Sequence, residues 1–400
     1  MKLTVQVLLI GLIASAPVRL AAQFKVAGHD VQVHGFMSQG FAYSDDNNYL
    51  TMKTSKGSFA FTDAGLNLST QITDRFRIGA QAYTRNIGNL GQGNVVLDWA
   101  FADYKFADWF GLRGGVVKTT FGLHNDTQDM EFLHTNALLP QSIYPTDLRD
   151  ALIRHRGGDI YGEVSLKRFG SISYTAFSGL RDDSIHGGYL YMLRPIGIVM
   201  NEYGGLQFGG DVRWNSPLPG FLVGFSHMNQ DIYGKGTFSL SMAPGAPVST
   251  GPFEEWTNKD QANQVYGQYT RGNLRLEAEY RRWWRDQQIF NGSFSVTTDT
   301  RGWYTLAAYR VSKRLELSSY YSRLVPDWRA DHKLDTNHLY DKVLTARVDV
   351  TRFWTVKLEG HFMDGNSGPG TYPAGFYNSD NPGGMKPKTN LLLIRTGFNF

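Results

Sequence analysis

The stretch LLLIRTGFNF, residues 391–400, keeps to a period of two. Counting back from Phe400 in twos gives Phe398, Thr396, Ile394 and Leu392, a mostly apolar face, while Gly397 and Asn399 fall on the other. Period-two alternation is the pattern of a strand with one face in an apolar medium and one in a polar one. Placed last in the chain and ending on an aromatic residue, it predicts the closing strand of a transmembrane β-barrel, with Phe400 as the assembly signal.

The opening of the chain agrees with that expectation. Residues 1–22 carry Lys2, an apolar run over 5–14 and the small pair Ala21-Ala22, which predicts a cleaved secretory signal. The expected mature chain, 23–400, is then one barrel domain exported to the outer membrane. No later stretch supplies the roughly 18 consecutive apolar residues of a spanning helix. With Lys2 and Arg19 set aside, the 40 basic residues become 38 against 36 acidic ones, a balance that argues against a nucleic-acid partner. The chain has no cysteine, which excludes a disulfide framework, a thiolate metal site and a lipid-anchoring cysteine. Its 44 glycines and 14% aromatic content suit short strands, tight turns and interfacial rings better than a thick soluble core.

Further strands alternate in the same way. Phe76, Ile78, Ala80 and Ala82 interleave with Arg75, Arg77, Gly79, Gln81 and Tyr83, and Leu274, Leu276, Ala278 and Tyr280 with Arg275, Glu277, Glu279 and Arg281. Leu344, Ala346, Val348 and Val350 interleave with Thr345, Arg347 and Asp349, and Trp354, Val356, Leu358 and Phe362 with Thr355, Lys357, Glu359 and His361. A secreted soluble sandwich also alternates, so the pattern alone leaves open which face is inside. The connections favour the barrel. Short polar turns at 73–74, 107–108, 167–170, 216–220, 271–273, 312–313 and 351–352 alternate with long loops near 45–57, 86–94, 121–157, 180–205, 231–262, 285–299, 324–339 and 365–387. Short periplasmic turns and long external loops are the expected asymmetry, and the count implies about sixteen strands running from 31–44 to 389–400. An even number closes an antiparallel barrel without a free edge, and sixteen strands leave room for water. Trp99, Trp109, Trp214, Trp284, Trp303 and Trp354 fall at strand ends or on apolar faces, where girdle rings belong.

Candidate chemistry is sparse. Glu277 and Glu279 share one strand face, roughly 7 Å apart, as a carboxylate pair for acid–base hydrolysis would require. Arg275 and Arg281 bracket them and hold both ionised, so a charged ladder lining the lumen, joined by Arg347, Lys357 and Glu359, is the better reading. No HExxH or G-x-S-x-G occurs, so no metal, cofactor or catalytic nucleophile is expected. The acidic pairs Asp45-Asp46 and Asp182-Asp183 read as solvated loop faces or as cation bridges to lipopolysaccharide.

Four blocks, VHGFMSQGFAYSDDNNYL (33–50), VVLDWAFADYKF (95–106), GLRGGVVKTTFGLHND (111–126) and LLPQSIYPTDLRD (138–150), resemble a Gram-negative outer-membrane porin family of the sixteen-stranded type. The resemblance is concentrated in the first 160 residues or so. It implies a passive channel for small hydrophilic solutes, inserted in lipid by the barrel-assembly machinery, with a homotrimer as one assembly it allows. It also implies that the third external loop folds into the lumen. On that reading Asp126, Asp129, Glu131, Asp147 and Asp150 face Arg75, Arg77, Arg85 and Arg113 across a constriction; the bland alternative has the acids in outside water and the arginines paired with Asp98, Glu163 or Asp211. The PEFGG sequence of the best-known general porins is missing, which puts their particular loop packing in doubt. The alternatives are a channel selective for oligosaccharides or anions, a barrel-embedded hydrolase, and a surface adhesin.

Overall fold

The computed structural model describes residues 23–241, 247–368 and 374–400; the expected signal, 1–22, lies outside the described residues. A short strand β1 (Gln23–Val26) leads into β2 (His29–Ser44), β3 (Ser58–Thr73), β4 (Phe76–Ile87), β5 (Val95–Ala107), β6 (Phe110–Lys118), β7 (Arg154–Ser165), β8 (Ser171–Asp182) and β9 (Ile198–Asn215). There follow β10 (Phe221–Ser241), β11 (Val248–Arg271), β12 (Leu274–Ile289), β13 (Phe294–Arg310), β14 (Leu315–Val325), β15 (Leu339–Asp349), β16 (Trp354–Asp364) and β17 (Lys388–Asn399). Each strand from β2 onward pairs antiparallel with the next, and β17 returns to β2 in the register Leu391↔Ser44 to Asn399↔Phe36. Sixteen strands therefore close a barrel, and β1 forms only a hairpin on the start of β2. No helix among the described residues is long and apolar enough to cross a membrane.

Side-chain exposure settles which face is inside. On β12, Leu276 and Tyr280 are 40% and 37% exposed, whereas Glu277 and Glu279 are 5% and 3%. On β16, Leu358 and Phe362 are exposed and Lys357, Glu359 and His361 are buried. The apolar side chains point outward and the charged ones into the barrel, the inverse of a soluble core and the arrangement a lipid surround requires. The closing strand obeys the same rule: Leu392, Ile394 and Phe398 face out, and Arg395 faces in. Its end locks onto β2 through two backbone bonds between Phe400 and Gly35, where a Cβ at position 35 would stand 2.6 Å from the Phe400 ring.

The seven connections at one end of the barrel, here the turn end, are short; the eight at the other, the loop end, are more varied than expected. Most of 231–262 and 285–299 is strand, not loop, because β10 runs to Ser241, β11 starts at Val248, β12 runs to Ile289 and β13 starts at Phe294. Beyond the apolar band the pattern inverts: Lys235, Thr237 and Ser239 of β10 face out into water, Ile232 and Phe253 pack inside with Ile198 and Met200, and ladder pairing continues from Tyr233↔Trp256 to Ser241↔Val248.

The loop end also has an apolar interior. Tyr49, Leu50 and Met52 of the β2–β3 connection, Leu90 of β4–β5, and Phe376 of β16–β17 pack in one buried cluster with Phe61, Met228, Trp283, Met363, Leu391 and Leu393 of the wall. Phe121, Leu138, Leu148 and Leu152 of the β6–β7 connection join it.

Candidate functional site

The β6–β7 connection, 119–153, is closed at its base by Asn125, whose Nδ2 donates to the carbonyls of Thr119 and Leu152, both at 2.8 Å. Pro140 and Pro145 begin turns, with Ile143 N donating to Pro140 O at 3.0 Å and Leu148 N to Pro145 O at 3.1 Å. The two short helical turns Glu131–Leu133 and Thr146–Ala151 carry three of the expected acidic residues.

Three groups of polar contacts tie this connection to interior-facing side chains. In the first, Arg149 donates to Asp98 on β5 at 2.6 Å and to Asp129 at 3.0 Å, and Lys118 reaches the same carboxylates at 3.1 and 2.5 Å. The Arg149 guanidinium lies 4.4 Å from the Tyr83 ring centre, and Arg85 donates to Thr146 O at 2.7 Å and to Asp150 at 3.4 Å. Asp147 instead accepts from Gly375 N at 2.7 Å and Tyr377 Oη at 2.8 Å, in the β16–β17 connection.

The second group joins β15, β16, β17 and β3. Lys357 pairs with Glu131 at 2.6 Å and donates to the carbonyls of Glu131 and Asn136 at 2.7 and 3.1 Å. Glu359 accepts from the backbone N–H groups of Ala137 and Leu138 at 2.8 and 2.9 Å. Arg395 donates to Asp63 at 2.6 Å and to Ala137 O at 2.7 Å, and Arg347 to His134 O at 2.8 Å. In the third group Glu279 accepts from Leu123 N at 3.1 Å, Tyr144 Oη at 2.6 Å and Tyr304 Oη at 2.7 Å. Glu277 meets His124 at 2.9 Å and Arg275 at 3.2 Å, and Arg281 lies over the Trp283 ring. Each carboxylate that faces inward here is met by cations, hydroxyls or N–H groups, as burial demands.

Of the nine residues expected at a constriction, Arg85, Asp129, Glu131, Asp147 and Asp150 are buried in these contacts. Asp126 is exposed on the connection. Arg75 lies exposed in the β3–β4 turn, and Arg77 and Arg113 stand near the turn end, each 3.7 Å from Asp103. Asp98, named above as a wall partner for arginine, pairs with Arg149 and Arg154; Asp211 accepts from Ser226 and Tyr266. Sequence reasoning missed Asp63, Lys118, Arg149 and Arg395. Arg395 shares the inward face of the opening quotation with Gly397 and Asn399, and a continued count in twos reaches it. Arg149 stands in LLPQSIYPTDLRD, where nothing local marks it as paired.

Electrostatics within the connection divides its acids. Burial pushes the Asp147 carboxyl up, against the bonds from Tyr377 and Gly375. Asp129 is also pushed up by burial, with Lys118 opposing and Asp98 adding to the rise. For Glu131 burial acts the same way, but Lys357 and Arg395 outweigh it and hold the carboxyl below its ordinary range. Among the described residues no group of three or more His, Cys, Asp and Glu side chains is arranged to hold a metal ion.

No protein-family model matches the chain, and no curated protein matches it by sequence. Solved structures do match. Outer-membrane expressed OmpT of Vibrio cholerae aligns over 94% of this chain and 100% of its own, with TM-score 0.57 and 12% identity. An anion-selective porin from Comamonas acidovorans aligns over 93% and 100%, with TM-score 0.58 and 11% identity. The outer-membrane channel DcaP of Acinetobacter baumannii aligns over 94% and 99%, with TM-score 0.56 and 10% identity. At such identities the likeness is one of fold, and this chain has the sixteen-stranded barrel fold of known outer-membrane porins and channels.

Proposed function

We propose that the protein is a passive outer-membrane channel for small hydrophilic solutes and ions, exported by its amino-terminal segment and driven only by the solute gradient. The observation that carries this reading is the orientation of the wall: charged side chains line the inside of a closed barrel whose outside is apolar. On this reading the turn end faces the periplasm and the loop end the exterior. The β6–β7 connection folds into the lumen and narrows it, a role supported by its bonds to Glu279, Lys357, Glu359 and Arg395 around the wall. Fixed opposite charges across such a passage sort ions and order water. Planar-bilayer recording with asymmetric salt and a graded sugar series tests it. Stepwise ohmic conductance with a size cut-off is expected, and a purified, folded protein that leaves bilayers sealed overturns the reading.

A second reading is a channel selective for oligosaccharides or anions. It draws on the guanidinium–aromatic stacks at the turn end, where Arg113 lies 5.2 Å from the Phe101 ring and 5.0 Å from Tyr161, and Arg213 5.3 Å from Tyr266. Saturable block by one sugar or anion favours it over the general pore.

We also infer a homotrimer. Ala102, Gly114, Gly158 and Ser178 are register partners in turn across β5–β8 and face outward, which gives a smooth patch for close approach of a second wall. A Vibrio cholerae OmpT structure described as a trimer form shares the fold at TM-score 0.52.

A further inference from the structure

The outer wall is apolar over most of its height, but four consecutive strands break that rule at one level. Counting outward-facing positions from the turn end, β12 reads Leu274, Leu276, Ala278, Tyr280 and then Arg282; β13 reads Tyr309, Ala307, Thr305, Trp303 and then Arg301. On β14 the series Leu315, Leu317, Ser319 and Tyr321 ends on Arg323, and on β15 Val348, Ala346 and Leu344 end on Lys342. The ladder places them side by side: Arg282 opposite Arg301, Trp303 opposite Arg323, and Tyr321 opposite Lys342.

Acids do not balance this arc. Asp299 takes both Arg282 and Arg301 at 2.8 Å, and Asp364 on β16, one position past Phe362, is the other carboxylate at this level. Asp327 is held by Arg329 at 2.9 Å. Arg323 lies 4.7 Å from the Tyr340 ring with its Nε buried and without a hydrogen-bond partner. Directly below the arc, toward the turn end, lies a shallow groove of about 860 Å³, floored by the small side chains of Gly267, Ala278, Thr305, Ala307 and Ser319, with Lys342 at its rim.

Cations above a smooth apolar groove on a lipid-facing wall match an amphiphile with an anionic head and acyl chains. We propose that the loop end of β12–β15 binds a phosphorylated lipid headgroup of the outer leaflet, with Arg323 and Lys342 as its direct contacts and the groove beneath holding an acyl chain. The proposal rests on the reading of the apolar face as lipid-facing. Basic side chains at a membrane surface attract anionic headgroups, so removing two weakens the association roughly thirtyfold.

The test uses the full mature chain in phosphatidylcholine vesicles, with and without diphosphorylated lipid A, reading the temperature at which the folded band is lost in a gel. Lipid A raises that temperature for the natural protein, and Arg323→Gln with Lys342→Gln abolishes most of the rise. Lys235→Gln, an outward lysine on β10, keeps it. A full rise in the double variant, an equal loss in K235Q, or the same rise from inorganic phosphate in detergent overturns the proposal. The exposed single variant K342Q supplies the answer if the double variant does not fold, a reduced rise supporting the site and an unchanged one removing it. Vesicles that stay sealed indict the channel reading instead, since permeation is scored separately on the same samples.

Discussion

Lys357 is fully buried inside the barrel and meets the Glu131 carboxylate at 2.6 Å. Removing one partner of a buried ion pair leaves the other without compensation and costs about 3–5 kcal/mol. Lys357→Met therefore lowers the unfolding midpoint in a denaturant series, and adding Glu131→Gln restores most of the loss. The same pair sets a pH dependence. Glu131 is held below the ordinary glutamate value of 4.5, so its side of the pair is ionised above that pH and is neutralised as the pH falls through the lowered value. Single-channel recordings are expected to show a conductance change on acidification below 4.5 that Glu131→Gln abolishes. An identical acid response in the variant would assign the change to another group. Glu131 was legible in the sequence as an acid on the third long connection. Its partner was legible only as a wall residue, because a separation of 226 positions carries no local signal of contact.

The β6–β7 connection is held at its middle by Glu359, which accepts two adjacent backbone N–H groups at 2.8 and 2.9 Å. Glu359→Ala leaves those donors buried and unpaired, at about 1–3 kcal/mol each. The expected result is a larger and noisier open-channel current with the barrel still folded, measured in the same bilayer. A current trace matching the natural protein would show that the contact does not position the connection. Strand existence was plain from alternation wherever one face met lipid, as in β4, β12 and β16. It was lost in the upper halves of β10 and β11, where Thr237, Ser239, Thr250 and Lys259 line strands that pair in the ladder but face water. The apolar interior at the loop end was equally hidden. Tyr49, Leu50 and Phe376 lie in connections that carry no periodicity, and only closure of the barrel brings them to Trp283 and Leu393.

The molecule as a whole depends on β17 meeting β2, since an open edge in lipid would leave a row of unpaired N–H and C=O groups. Ala42 and Leu393 are register partners across that seam and both face inward, in a non-hydrogen-bonded pair. Because the chain has no cysteine, Ala42→Cys with Leu393→Cys places a lone pair of thiols on Cα atoms about 4.5 Å apart, within reach of a bridge. Oxidation should raise the heat-unfolding midpoint and reduction should return it; no bridge in the folded protein would place the seam elsewhere. The paired ribbon of β10 and β11 extends through Thr237↔Pro252 and Leu240↔Ser249, past the level at which β14 and β15 stop. In a living cell that prominence would be what an immune receptor or a tail-fibre tip encounters first. Antibodies against it would decorate unbroken bacteria, and decoration only after lysis would mean the barrel sits the other way up.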